Sequence, residues 1–203
     1  MSSKPQVADS ARCPARGTIF VLSGPSGSGK TTLARAVLAD KSLGRSLVRS
    51  ISFTTRPRRR GEREGKDYFF LTSDEFRRNL RGQKILEWTR YLGYYYGTAR
   101  DFVDRTLQRS KGLILCLDLK GAQRIKSLYP KDSVTVFVMP PSLEELFRRI
   151  QGRRRETGAE IRKRIAVAKR EIAACGSYDY CLVNSDLRRA ITRLKTIIRQ
   201  NMH

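Results

Sequence analysis

The chain has 203 residues, with 42 Lys and Arg against 19 Asp and Glu, giving a formal net charge of +23. That length suits one domain with room for small inserted lobes, and that charge favours a polyanionic partner: nucleotide phosphates, nucleic acid or an anionic surface. The longest apolar runs, 18–22 and 134–139, are far too short to cross a bilayer, which argues against a membrane-spanning chain.

Residues 1–16 carry two prolines and no apolar periodicity, and read as a disordered tail without the apolar segment of a secretory signal. A folded domain is expected over 17–203. Strand-like runs follow at 18–23, 47–53, 67–71, 85–88, 113–118, 134–139 and 180–183. Those at 18–23, 113–118 and 134–139 are almost continuously apolar, as strands buried on both faces of a parallel sheet are. Helices are expected after each. One follows residue 31, and the capping-box patterns Thr72-Ser73-Asp74-Glu75 and Ser142-Leu143-Glu144-Glu145 open two more. Residues 157–175 and 187–200 carry apolar stripes at helical spacing, with Ile161, Ile165 and Ala168 on one and Ile191, Leu194 and Ile198 on the other. The alternation predicts an α/β three-layer fold around a mostly parallel sheet.

Two stretches interrupt that rhythm. Residues 50–98 crowd short strands and turn signals where one helix is due, and read as an inserted lobe, leaving 17–49 and 99–203 as the core. The basic segment around Arg153-Arg154-Arg155 suits a small lid at about 150–165.

The run Gly24-Pro25-Ser26-Gly27-Ser28-Gly29-Lys30-Thr31 matches the phosphate-loop pattern GxxxxGK[ST], with a buried strand before it and a helix after it. Glycines let successive N–H groups turn inward onto phosphate oxygens, and the helix adds its N-terminal dipole. Lys30 supplies a mobile charge for the β/γ oxygens, and the Thr31 hydroxyl a ligand for Mg²⁺. This loop alone does not separate GTPases, motors and kinases.

The inserted lobe holds the other half of a site. It gathers Arg56, Arg59, Tyr68 and Tyr96, planar forks and hydroxyls suited to a phosphate monoester. Glu87 lies among them. Guanine presents N1–H and an exocyclic amine side by side to a carboxylate, whereas adenine presents a lone pair at N1. Hydroxyls of Ser52 and Thr98 suit guanine O6. A pocket whose polar groups stay unpaired with the wrong base can discriminate by roughly 10⁴-fold.

In this order the phosphate loop, Thr54-Thr55-Arg56 with Arg60-Gly61-Glu62 and Gly65-Lys66-Asp67-Tyr68-Phe69-Phe70, Glu87-Trp88 with Gly93-Tyr94-Tyr95-Tyr96-Gly97-Thr98, the Leu117-Asp118 segment with Gly121-Ala122-Gln123, Pro140-Pro141-Ser142 with its helix, and Leu182-Val183-Asn184-Ser185-Asp186-Leu187 closely resemble the guanylate kinase family over about residues 17–200. The resemblance implies Mg²⁺-dependent phosphoryl transfer from ATP to GMP, and a cytoplasmic enzyme of purine nucleotide metabolism. It implies that Ser52, Glu87 and Thr98 read the base, and that Arg56, Arg59, Tyr68 and Tyr96 hold the GMP phosphate with Glu62 steadying the arginines. It further implies that Lys30, Arg149, Arg153 and Arg164 bracket the transferring phosphoryl group. Thr32 joins the phosphate loop on the ATP side, Asn184 sits near the adenine, and Asp118 sits near Mg²⁺-bound water and GMP.

Two departures stand out. Pro57 directly follows Arg56, with Arg58 where the family usually has a proline. Cys116 occupies a position where the family commonly has a carboxylate. No residue is assigned to the ribose 2′-hydroxyl, so dGMP is not separated from GMP.

Cysteines at 13, 116, 175 and 181 form no CxxC pair, and the one histidine is His203. That disfavours a His/Cys zinc site and imidazole-based nucleophilic catalysis, and suits a reducing compartment. Residues 56–66 and 148–170 hold 16 of the 42 basic residues, and the rest of the chain keeps 26 basic against 15 acidic. Catalysis does not account for that excess. Host composition is the favoured reason, with weak nucleic-acid affinity as the alternative.

Overall fold

The computed structural model describes residues 16–91, 93–151 and 158–202, with the backbone alone at 150 and 158–165. Its core is a five-stranded sheet in which every neighbouring pair is parallel. Strands β1 (Ile19–Ser23), β2 (Leu47–Arg49), β7 (Gly112–Cys116), β8 (Ser133–Met139) and β9 (Tyr180–Val183) run in the order β2-β7-β1-β8-β9.

Alternation along β1 explains why this sheet needs helices on both sides. Phe20 and Leu22 pack on one face with Leu33 and Val37 of α1 (Lys30–Leu38) and Leu194, Ile197 and Ile198 of α7 (Leu187–Asn201). Ile19 and Val21 pack on the other with Val103 and Leu107 of α3 (Arg100–Gln108) and Ala122 and Ile125 of α4 (Leu119–Leu128). Neither face of β1 touches water, and all five of its residues are buried. The expected three-layer α/β architecture is the observed one.

A second sheet of four strands, in the order β4-β3-β6-β5, is built from β3 (Ser52–Thr54), β4 (Phe69–Phe70), β5 (Ile85–Tyr91) and β6 (Tyr94–Ala99). The apolar run at 47–53 is therefore two strands. Leu47–Arg49 pairs with β7 in the core, and Ser52–Thr54 pairs with β6 in the second sheet. Helix α2 (Ser73–Arg81) starts at Thr72, whose hydroxyl accepts from Glu75 N while the Glu75 carboxylate accepts from Thr72 N. Helix α5 (Leu143–Gln151) starts with the Ser142 hydroxyl accepting from Glu145 N at 3.1 Å. Helix α6 spans Gly158–Ala173. No helix among the described residues is long and apolar enough to cross a membrane.

Candidate active site

The phosphate loop leaves the buried end of β1 by a turn open only to glycine. Gly24 has φ +127°, and a Cβ there would sit 2.4 Å from the Val138 carbonyl oxygen. Gly29 has φ +100°, and its Cβ would meet the Asn184 side chain at 2.3 Å. Each is at once left-handed and crowded, so any side chain would push the loop off the sheet. Asn184 is buried because it serves this loop: its Nδ2 donates to Ser28 O at 2.8 Å.

Around that brace the loop presents donors. Helix α1 begins at Lys30 with neither a side-chain cap nor an acidic residue in its first turn, which leaves its N-terminal amides and dipole for an anion. The Ser28 Oγ is buried with no protein partner. The Lys30 Nζ folds back, donating to Gly24 O at 2.5 Å and Pro25 O at 2.9 Å. Thr31 and Thr32 stand exposed on the first turn. Arg149 of α5 reaches the same corner, donating from Nε to Glu145 at 3.0 Å and from a terminal nitrogen to Asn184 O at 3.4 Å.

In the second sheet, Arg56 is the buried cation. Its guanidinium donates to Glu62 Oε1 at 2.6 Å and to Pro57 O at 2.7 Å, and lies 5.5 Å from the Tyr68 ring centroid. Glu62 raises the affinity of Arg56 for its proton, and Arg56 lowers that of Glu62. The other Glu62 oxygen accepts from Arg59 N at 2.8 Å, so one carboxylate orders both the side chain of Arg56 and the turn carrying Arg59. Tyr68 and Tyr96 meet edge to face with centroids 6.1 Å apart.

Glu87 owes its direction to an irregularity that periodicity does not reveal. On β5 and β6, Ile85 pairs with Ala99 and Trp88 with Gly97, so Leu86 and Glu87 together oppose Thr98 alone. A bulge of this kind re-aims a side chain. Leu86 turns into the core cluster beneath β1, and the Glu87 carboxylate accepts from the Thr98 hydroxyl. Across the next pair Thr98 faces Ser52, so the three candidate base readers come from three adjacent strands. Glu87 is 8% exposed, and burial pushes its carboxyl up to about 7, with Asp118 adding to the rise and the Thr98 hydrogen bond opposing it.

Asp118, expected at the end of a strand over 113–118, lies two residues past the end of the observed strand. β7 ends at Cys116, and Asp118 caps α4, its Oδ1 accepting from Gly121 N at 2.8 Å. The cap explains the break, because the first amides of α4 need an acceptor where the sheet stops. Cys116 lies deep on the cleft floor while still open to solvent through the cleft. Its surroundings raise the thiol, with Lys30 and Arg49 opposing. Glu171 of α6, half-buried, faces both Lys30 and Asp118. Burial raises its carboxyl, Lys30 lowers it and Asp118 raises it. Nothing in the motif spacing singles out Glu171; only the packing of α6 brings it here.

Two cavities join these parts. One of about 230 Å³ is lined by Ser52, Tyr68, Glu87, Tyr96, Cys116 and Asp118, among others. The other, about 290 Å³, shares Ser52, Tyr68 and Cys116 with it and extends past Glu62 and Arg49 to Thr31. A continuous cleft thus runs from the Glu87 carboxyl to the start of α1. Arg153 lies outside the described residues, and Arg164 belongs to the part of α6 whose backbone alone is described.

Comparisons with known proteins point one way. The family model described as guanylate kinase matches residues 16–201. The guanylate kinase of Bacillus cereus is 43% identical over 183 residues, covering 90% of this chain and 88% of its own. That of Wolbachia pipientis is 38% identical over 184 residues, covering 91% and 90%. Among solved structures, the crystal structure of guanylate kinase from Anaplasma phagocytophilum superposes with a TM-score of 0.73 at 33% identity, covering 93% of this chain and 87% of that one. With a phosphate loop, a carboxylate-bearing second sheet and likeness over nine-tenths of its length, the chain belongs to the guanylate kinase family.

Proposed function

We propose that this guanylate kinase moves the γ-phosphoryl group of ATP onto GMP with the side chains of the cleft in the following roles. The observation that carries the reading is the Glu87 carboxylate, buried against Thr98 at the end of a cleft whose other end is the phosphate loop. Ionised Glu87 accepts guanine N1–H and the exocyclic amine, while Ser52 and Thr98 serve O6. Arg56, held by Glu62, binds the GMP phosphate with Arg59, Tyr68 and Tyr96. The lobe over 50–98 is then the GMP-binding lobe.

On the ATP side, the amides of the loop from Gly24 to Thr31 and the unpartnered Ser28 hydroxyl take the phosphates. Asn184 acts by bracing that loop through Ser28 O. Lys30 exchanges its two carbonyl acceptors for phosphate oxygens. Arg149, which reaches Asn184 O at 3.4 Å, shares the charge of the transferring group, and the reading gives Arg153 and Arg164 of the 150–165 lid the same task. Phosphoryl transfer asks for in-line positioning and charge neutralisation, not a covalent intermediate. The GMP phosphate is already an anionic nucleophile, so no protein base is needed.

The oxygen donors fit a magnesium ion. Thr31 offers a hydroxyl ligand on the first turn of α1, and Asp118 keeps one carboxylate oxygen, beyond the one that caps α4, for a water bound to the ion. Mg²⁺ characteristically takes one or two protein oxygens, with water and phosphate completing its shell. No cluster of three or more His, Cys, Asp or Glu among the described residues would hold a metal by protein ligands alone. When bound with ATP, the ion supplies neutralisation of β/γ-phosphate charge.

The assigned contacts go to base and phosphate, and no residue is assigned to the ribose 2′-hydroxyl, so dGMP is compared with GMP in the test. The basic excess outside the cleft is assigned no nucleic-acid site. A reducing cytoplasm, which suits a sequence with four cysteines and no CxxC pair, is the setting proposed. The test is ATP- and Mg²⁺-dependent diphosphate formation with GMP, dGMP, AMP, CMP and UMP, with Lys30→Ala as control. Turnover of GMP over AMP, CMP and UMP, lost in the variant, is the expected result. Equal turnover of AMP would overturn the base-reading roles.

A further inference from the structure

Two cysteines that the mechanism leaves unused are brought together by the fold. Cys175 opens the short 3₁₀ turn Cys175–Ser177 after α6, and Cys181 lies in β9 opposite Phe137. Their Sγ atoms are 2.6 Å apart, with Cys175 donating to Cys181. Both thiols are free, and side chains placed this way can join in a disulfide with little movement of the backbone.

The intervening chain holds them there. Tyr178 N donates to Cys175 O at 3.2 Å, closing the turn. The Tyr178 hydroxyl donates to Ser23 Oγ at 2.9 Å, and its ring lies 5.1 Å from that of Phe137. The Asp179 carboxylate accepts from Thr135 N and Oγ1, both at 2.8 Å, and from Lys126 Nζ at 3.0 Å. Residues between the two cysteines are therefore tied to β1, β8 and α4, and the sheet itself juxtaposes the sulfurs. Cys181 is exposed and Cys175 partly so, which leaves both within reach of a small oxidant.

We propose that Cys175 and Cys181 are a reversible dithiol–disulfide pair, closed by a peroxide, that fastens the end of α6 to edge strand β9. Burial and the hydrogen bond to Cys181 hold the proton on Cys175, so the exposed Cys181 makes the first attack. Its sulfur takes one peroxide oxygen, the O–O bond breaks, and the sulfenic acid of Cys181 and one water result. Cys175 sulfur then displaces that oxygen, which leaves with the Cys175 proton as a second water. Two thiols are oxidised by two electrons, and one hydrogen peroxide is reduced to two waters. An external dithiol reverses the step by thiol–disulfide exchange. The closed ring would hold the last turns of α6, which carry Glu171, against the sheet.

The test uses the full chain and needs no nucleotide turnover, so its outcome is separate from that of the kinase reading. Protein treated with hydrogen peroxide is alkylated and digested with trypsin. Both cysteines fall in the single peptide 171–188, bounded by Arg170 and Arg188. The expected result is that this peptide escapes alkylation and loses two hydrogens, that dithiothreitol restores it, and that neither Cys175→Ser nor Cys181→Ser forms the link. Melting of oxidised against reduced protein reads the clamp. A rise on the order of 5 °C is expected in the wild type and none in either variant. A link through Cys13 or Cys116, or sulfinic acid at Cys181 with Cys175 still alkylatable, would overturn the pair. An unchanged or lowered melting temperature in linked protein would overturn the fastening.

Discussion

Replacing Glu87 by Gln tests the buried carboxyl through stability before it tests catalysis. In the folded chain burial lifts this group from its ordinary 4.5 to about 7. The folded state therefore binds the proton more tightly than the unfolded state. Wild-type stability is unpenalised below the unfolded pKa, falls as pH rises from about 4.5 to 7, and levels off above that. At 1.36 kcal/mol per unit, ionising Glu87 in place costs about 3 kcal/mol. An amide cannot ionise, so the variant escapes that loss whatever fixed offset it brings. Urea unfolding of both proteins at pH 5 and pH 8 measures it. The stability of the variant relative to wild type should improve by about 2.5 kcal/mol between the two pH values, since a part of the cost is already present at pH 5. Guanine should reverse the balance by selecting the ionised carboxyl. GMP binding then releases a proton, and the wild-type advantage in GMP affinity over the variant grows from pH 5.5 to 8. A stability difference that does not change with pH would refute the argument, because the carboxyl would then not be held unionised by its surroundings.

Related changes should move in stated directions. Thr98→Val removes the hydroxyl that favours the ionised carboxyl and should shift the Glu87 transition above 7, whereas Asp118→Asn removes a neighbouring negative charge and should shift it below; the same urea series reads both. Lys30→Ala should lower GMP-dependent ADP formation by on the order of 10²- to 10³-fold or more, with circular dichroism unchanged, since it removes a charge aimed at the developing phosphoryl anion. Glu62→Gln weakens the brace on Arg56 and the turn of Arg59. Its kcat/KM for GMP should fall by on the order of 10- to 100-fold, and KM for ATP should change little in steady-state kinetics. Asn184→Ala frees the Ser28 carbonyl and should raise KM for ATP more than KM for GMP in the same assay.

Much of this protein is legible residue by residue. Ile19 to Ser23 is a strand with no polar face, so it must be central and covered on both sides. Gly24, Gly29 and Lys30 follow in the one spacing that turns amides onto a phosphate. Thr72 with Glu75, and Ser142 ahead of Glu145, announce helix starts because their hydrogen bonds span only three residues. Such features are local, and the chain specifies them before anything has packed.

What the tertiary structure decided depends on partners distant in sequence. The continuous run 47–53 is divided between two sheets because Leu47 finds Gly112 while Ser52 finds Thr98. Strand β6 does not alternate in hydropathy, and exists through its two neighbours in the second sheet. The bulge that swings Glu87 onto Thr98 is a mismatch of register, which neither strand encodes alone. Glu171 comes to Lys30, and Cys175 to Cys181, through the docking of α6 and β9 on the core. Sequence named the chemical groups, since a carboxylate or an arginine is recognisable wherever it lies. Their directions and proton affinities waited on the fold, because both are set by the side chains that burial brings beside them.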